Sequence, residues 1–221
     1  MTSVGSTQYG GPRDLRVLVA IAAIAAAVLT ALTWTILAAG AKPLGIDETV
    51  HGWMVSGEWD PLSTAARGIT HLGDSPAIWI ITGVVAVALL AFRRWWAGFI
   101  LALGMGLDIG LVRAGKTMVQ RARPADLIST GHGTSFPSGH SAYAVAWAVM
   151  GIIAVRSIPA LRGRTWPIWV GVAIAVLIPM SRVYLRPHWL TDTIGGAATG
   201  SLAFALMAIV VVTATSSRTA P

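Results

Sequence analysis

The stretch FPSGHSAYAVAWAVM, residues 136–150, sets a polar head on an apolar body. Pro137, Ser138, Gly139 and His140 open a run that carries no charge through residue 155. Such a run has the composition of a helix in lipid, and a titratable imidazole at its mouth marks a functional site. The same juxtaposition recurs at SRVYLRPHWLTD, residues 181–192, just ahead of an apolar run over 194–213. Two membrane helices, each with chemistry at its entrance, are the starting point for everything else in the chain.

The composition agrees. Hydrophobic residues make up 55% of the 221 positions and charged residues 11%, against roughly 25% charged in soluble domains. Mean hydropathy is +0.69. A soluble fold of this length cannot bury that much apolar surface, so the class is integral membrane protein. There are no cysteines, which excludes disulfides and thiolate metal sites. The net charge is +7, but the basic residues sit in short loops between apolar runs, where membrane topology explains them better than nucleic acid. No Walker loop, dinucleotide fingerprint or Cys/His zinc pattern is present.

A bilayer core of about 30 Å takes about 20 apolar residues per helix. Six segments answer to this, 17–39, 77–92, 95–112, 142–155, 168–180 and 194–213. The fourth and fifth are short and run into polar flanks, which predicts helix ends packed against protein. Backbone groups in lipid must bond within their own segment, so helices are expected throughout. The expected fold is an all-α integral membrane protein of six transmembrane helices, forming one domain over 13–215. The tail 1–12, rich in Gly, Ser and Thr, is read as disordered, and 216–221 as a second tail. The apolar run near the N-terminus exceeds the 7–15 residues of a signal peptide core and is read as a retained span. Within the 40–74 connection, ETVHGWMVSGEW and PLSTAARGITHL are expected as short interfacial helices, with Trp53 and Trp59 at headgroup depth.

With the N-terminus inside, basic residues divide evenly between the two sides, so the positive-inside rule alone is tied. Arg93, Arg94, Arg162 and Arg164 form compact inner clusters, whereas the outer basic residues crowd into 113–123 and 182–186. Reading those crowds as functional puts the N-terminus in the cytoplasm. The crowds and the PSGH motif then share the extracytoplasmic side. The Ala- and Gly-rich composition points to a GC-rich bacterial genome, and the membrane expected is then the bacterial inner membrane.

Three segments carry the chemistry. KTMVQRARP gives Lys116 and, after six residues, Arg123. PSGH gives Ser138, Gly139 and His140. The third gives Ser181, Arg182, His188 and Asp192. Three cations gathered near a membrane need an anion, and phosphate is the natural one for Arg forks and a Lys point charge. Gly139 permits close backbone approach, and N–H groups at a helix start favour an anion. His188 and Asp192 lie four apart and share one face if a helix begins near Pro187. The carboxylate then holds one imidazole nitrogen and frees the other to attack. His140, from another helix, is placed to protonate the leaving oxygen.

These three motifs, in this order, resemble the signature of the type 2 phosphatidic acid phosphatase family of membrane enzymes. The motif match runs from Lys116 to Asp192, and the expected span layout extends it to most of the chain. Vanadium haloperoxidases are similar in the site alone and are soluble. The resemblance implies a metal-independent phosphatase, with no cofactor, that works through a phosphohistidine. On it, Lys116, Arg123, Ser138, Gly139 and Arg182 hold phosphate, His140 is the acid, His188 the nucleophile and Asp192 its partner. It also implies a lipid phosphate or pyrophosphate as substrate: phosphatidic acid, phosphatidylglycerol phosphate or a polyprenyl pyrophosphate. No residue separates these, and the oligomeric state is not legible.

The remaining polar residues divide. Ser181 either bonds phosphate or simply caps or packs. Arg121 and Arg186 lie outside the motif and meet headgroups or substrate. His132 reads as a loop histidine rather than a second acid, and His51 and His71 as interfacial. Asp108 is an intramembrane acid read as structural, paired with Arg113 or set in a polar cluster. Gly104, Gly106, Gly110, Gly195, Gly196 and Gly200 are expected to let helices pack closely. The competing function is a lipid-phosphate transporter or flippase that binds without cleaving; it needs neither the His188–Asp192 pair nor an opposing histidine.

Overall fold

The computed structural model describes residues 12–216, and the tails expected at 1–12 and 216–221 otherwise lie outside the described residues. The order is α1 (Pro12–Ala38), α2 (Gly45–Ser56), α3 (Asp60–Thr70), a 3-10 turn (His71–Gly73) and α4 (Ser75–Ala91). There follow α5 (Trp95–Val119), α6 (Gly139–Ser157), a second 3-10 turn (Pro159–Leu161), α7 (Trp166–Tyr184) and α8 (Leu190–Ser216). Among the described residues there is no strand. Prolines open α3, α4 and α7 in their first turns, where the missing N–H removes no helical bond.

Each of the six apolar segments is helical, and the two short helices of the 40–74 connection are α2 and α3. Four helices, α1, α5, α7 and α8, are long and apolar enough to cross a membrane. The α3–α4 pair, bent by 46°, makes a fifth if taken as one broken span. The α4 helix alone has only 17 residues, and α6 spends its first turn on Gly139, His140 and Ser141.

Helix ends sort cleanly. At one end, Arg156 of α6 pairs with Asp14 of α1 at 3.3 Å. At the other, Ile36 of α1 packs with Val119 of α5 and with Phe136. Between them runs a core that includes Ile78, Leu101, Met105, Val112, Ala142, Ala146 and Phe204. Trp34, Ile80, Val84, Val87 and Trp169 are exposed, an apolar exterior suited to lipid.

Small residues bring α6 and α8 together. A Cβ on Gly196 would lie 2.3 Å from the Ser138 carbonyl oxygen, and one on Gly200 2.3 Å from that of Ala142. Only glycine allows backbones this close. The Ser138 N–H donates to the Asp192 carbonyl at 3.0 Å across the same contact. Gly195 packs on the Phe136 ring and Gly104 on that of Phe204, as expected, but Gly106 and Gly110 face open space and pack on nothing. The contact fixes the start of α6 against the start of α8, which is where both histidines sit.

Candidate active site

The C-terminal ends of α5 and α7 and the N-terminal ends of α4, α6 and α8 meet on one side, roofed by the segment 120–138. A cavity of about 270 Å³ lies there. Its lining includes Lys116, Arg123, Gly139, His140, Arg182 and His188 from the three motifs, with Ser75, Tyr143 and the loop residues 130–132. The polypeptide therefore gathers three cations and the His140 and His188 imidazoles, with His132 beside them, around one small space. Three motif residues stand behind the wall. Asp192 is fully buried next to His188. Ser138 caps α6, accepting from the Ser141 N–H at 3.4 Å and bonded to the Ser141 hydroxyl at 3.0 Å. Ser181 donates to the Ile178 carbonyl at 2.7 Å within its own helix.

His188 sits in the turn between α7 and α8. Its Nε2 is 3.0 Å from Arg123 Nη1, and its Nδ1 is 3.6 Å from Asp192 Oδ2, an electrostatic contact longer than a hydrogen bond. Guanidinium can only donate, so Nε2 presents its lone pair and Nδ1 carries the proton toward the carboxylate. Burial, with the Arg123 and Arg182 charges, pushes this imidazole down to about 3 against the pull of Asp192. At neutral pH it is an uncharged base with a lone pair on Nε2.

Arg123 is a strut as well as a cation. It donates to the carbonyls of Gly133, Pro187, His132 and Thr134 at 2.6–3.1 Å. Burial draws its pKa below the usual guanidinium value, with Asp192 opposing. Lys116 Nζ donates to the Thr134 carbonyl at 2.6 Å. Arg182 donates to Thr70 Oγ1 at 2.9 Å and the Thr130 carbonyl at 3.2 Å, while its Nε, though buried, has no partner.

Behind Asp192 lies a network that carries no sequence signature. Arg121, fully buried, donates to Asp192 Oδ1 at 2.7 Å and Asp47 Oδ2 at 2.6 Å. It also reaches Thr191 Oγ1 at 2.8 Å and the Lys42 carbonyl at 3.1 Å. Asp47 Oδ1 accepts the Thr191 N–H at 2.9 Å. Asp192 Oδ2 accepts the Trp189 N–H at 2.9 Å, a third-position acid reaching back to the residue before α8. The Trp189 ring lies 5.9 Å from the Arg121 guanidinium carbon and covers it. Arg121 thus meets neither headgroup nor cavity; it anchors the carboxylate that faces His188.

On the opposite wall, His140 Nε2 lies 3.0 Å from Asp74 Oδ1, and His71 Nδ1 lies 2.7 Å from Asp74 Oδ2. Burial works to raise the Asp74 pKa, but the hydrogen bonds from His71 and His140 outweigh it and hold the carboxyl below its usual range. Thr70 and Asp74 flank the 3-10 turn, so this elbow touches both Arg182 and His140. Neither acid, Asp47 nor Asp74, was legible as a site residue; each lies far along the chain from its partner in a connection without a motif.

Other expectations resolve as follows. Arg186 is buried and pairs with Glu58 at 2.9 Å and Asp126 at 3.6 Å, a tie between loops and not a headgroup contact. His51 pairs with Asp126 at 3.0 Å. His132 lines the cavity and lends its carbonyl to Arg123. Asp108 is fully buried with neither oxygen hydrogen bonded, so the expected Arg113 pair does not form.

Apolar helices, four of them long enough to cross a membrane, converge at their ends on a cavity with three cations, a setting suited to a phosphate carried at the membrane. The pattern of the PAP2 superfamily matches residues 95–216. Phosphatidylglycerophosphatase B of Bacillus subtilis is 35% identical over 151 residues, covering 66% of this chain and 73% of that protein. A decaprenylphosphoryl-5-phosphoribose phosphatase of Mycobacterium tuberculosis is 29% identical over 152 residues, 64% of this chain and 76% of that one. The crystal structure of a transmembrane PAP2-type phosphatidylglycerolphosphate phosphatase from Bacillus subtilis superposes with a TM-score of 0.75 at 27% identity, covering 90% and 97% of the two chains. The chain belongs to the PAP2 superfamily and is a lipid phosphate phosphatase.

Proposed function

We propose that this protein removes the terminal phosphate of a membrane lipid, held as a monoester or a diphosphate, through a phosphohistidine on His188 and without a metal. The observation that carries the proposal is the setting of His188, with Nε2 beside Arg123 and Nδ1 beside Asp192, on the same cavity as His140.

In the first step, His188 Nε2 attacks phosphorus as the ester P–O bond breaks, and His140 gives a proton to the departing alkoxide. Arg123, Arg182 and Lys116 neutralise the equatorial oxygens, aided by the start of α6 at Gly139. Arg123 exchanges its contact with Nε2 for one with a phosphate oxygen as the substrate enters. In the second step, His140 takes a proton from water as the water attacks phosphorus and the P–N bond breaks. Nothing is consumed but water.

The lipid tail remains in the bilayer, since the cavity opens at the ends of apolar helices. Six crossings by α1 and α4 to α8, with a cytoplasmic N-terminus and an extracytoplasmic site in a bacterial plasma membrane, complete the reading. The relatives are named for a phosphatidylglycerol phosphate and for a phosphorylated polyprenyl sugar. Both names describe a phosphate at the far end of a lipid headgroup, the shape a small cavity at headgroup depth would accept. A transporter or flippase would need the cations but not a neutral imidazole opposite another.

Purified protein in detergent, with EDTA, is expected to release inorganic phosphate from phosphatidylglycerol phosphate, phosphatidic acid or a polyprenyl mono- or diphosphate. The panel ranks the substrates. Activity abolished by chelator, or kept in His188→Ala, refutes the mechanism.

A further inference from the structure

Asp192 faces the nucleophile. The structure holds a second carboxylate–imidazole pair on the opposite wall, where neither the motifs nor the family pattern, which begins at residue 95, includes it. Asp74 Oδ1 is 3.0 Å from His140 Nε2, and Asp74 Oδ2 is 2.7 Å from His71 Nδ1. The elbow that carries Asp74 is held against α6 and α7. Trp147 Nε1 donates to the Leu72 carbonyl at 3.0 Å. Gly73 approaches so closely that a Cβ there would lie 3.4 Å from His140 Cδ2 and 2.7 Å from Ile178 Cγ2. Asp74 is the residue just ahead of α4, and its carbonyl accepts the Ile78 N–H at 3.0 Å. These contacts place the backbone of Asp74, and the two imidazoles hold its carboxylate.

We propose that Asp74 is the positioning residue of the acid histidine, and that His71 fixes the Asp74 carboxylate in turn. This deepens the phosphatase reading and rests on it. An ionised carboxylate only accepts, so His140 Nε2 must carry a proton toward Asp74. The proton transferred in catalysis is then the one on Nδ1. When His140 protonates the alkoxide, Nδ1 loses its proton while Nε2–H stays on Asp74. When water attacks the phosphohistidine, Nδ1 recovers a proton. The need for such a partner is electrostatic. An imidazolium at this place is opposed first by burial and then by the Arg182 and Arg123 charges, and Asp74 is the counter-charge that works against them.

A purely structural role for Asp74 would slow every substrate alike. A role through the acid makes the loss depend on the leaving group: an alkoxide needs a proton, and p-nitrophenolate scarcely does. The experiment compares full-length wild type with Asp74→Asn and Asp74→Ala in detergent. It measures kcat and KM on the lipid substrate and the rate of the first-turnover burst from p-nitrophenyl phosphate. Asp74→Asn is expected to lower kcat on the lipid by roughly 10- to 100-fold with KM little changed, a loss at least tenfold larger than that of the burst. His71→Ala is expected to do the same more weakly. Nitrogen-15 shifts of the His140 ring should report Nε2–H in wild type and a mixed tautomer in Asp74→Asn. Equal losses on both substrates, no loss, or an unchanged tautomer overturns the proposal. Wild type inactive on every phosphate would instead sink the phosphatase reading itself.

Discussion

Arg121 Nη1 lies 2.7 Å from Asp192 Oδ1, and neither side chain is exposed at all. Arg121 also holds Asp47 at 2.6 Å, so one guanidinium stands between two buried carboxylates. Removing it would leave two unpaired buried charges, and breaking such a pair costs about 3–5 kcal/mol. Arg121→Leu is expected to lose at least that in thermal or denaturant unfolding. Arg121→Lys keeps the charge but not the fork that serves Asp192, Asp47 and Thr191 together. It should fold and lose roughly 10- to 100-fold in kcat, with a small change in KM. Wild-type kcat in Arg121→Lys would show that Asp192 needs no anchor.

The close crossing of α6 and α8 gives a second expectation. A Cβ at residue 196 would sit 2.3 Å from the Ser138 carbonyl, a backbone atom that cannot rotate away. The helices must part, which costs about 1–3 kcal/mol. The PSGH segment then moves from His188, and a 1 Å misplacement costs on the order of 100-fold in rate. Gly196→Ala should therefore lose more activity than its unfolding change suggests. Gly106→Ala, whose Cβ meets nothing, should be neutral within about 0.5 kcal/mol. Equal kinetics for the two variants would deny that this crossing sets the site.

These two cases also mark what a sequence can and cannot carry. Lipid leaves an imprint in composition, so the apolar runs foretell α1 and α4 to α8 directly. The count of crossings is less plain because α6 spends its first turn on site residues and α4 is short. The motif residues were legible because phosphate chemistry demands particular groups at fixed spacing. Arg121 lies inside the six-residue spacer between Lys116 and Arg123, where position looked free. Its partner Asp47 is 74 residues away, and Asp74 is 66 residues from His140. A buried pair formed across such distances leaves no periodic trace. Ser181 and Arg186 had polar side chains next to the motif, and only the fold turns them away from the cavity.

The buried His188 makes stability depend on pH. An unfolded histidine titrates near 6.5, whereas His188 in the fold is pushed down to about 3. Between those values the unfolded chain binds the extra proton, so stability falls as pH drops through 6.5 toward 3. The groups that face the ring are Asp192, Arg123 and Arg182, and burial leads among the causes. At pH 5 the loss is on the order of 2 kcal/mol. His188→Asn, which cannot titrate, should melt with a shallower decline between pH 7 and pH 5. Parallel declines would mean that His188 is not held neutral by the fold.

The two histidines can be separated by stalling the reaction between its steps. In the proposed mechanism His140 has two tasks, giving a proton to the alkoxide and taking one from water. A leaving group that needs no proton removes the first task and leaves the second. With p-nitrophenyl phosphate, His140→Gln should still transfer phosphate to His188 and then release it slowly, with turnover down by roughly 100- to 10,000-fold. The enzyme should accumulate an acid-labile, base-stable phosphate bond near one per chain, found by mass spectrometry on the peptide that holds His188. The double variant His140→Gln/His188→Ala should carry none. Label on another residue would move the nucleophile elsewhere. No label with fast turnover would mean that water attacks phosphorus directly, with His188 serving as its base.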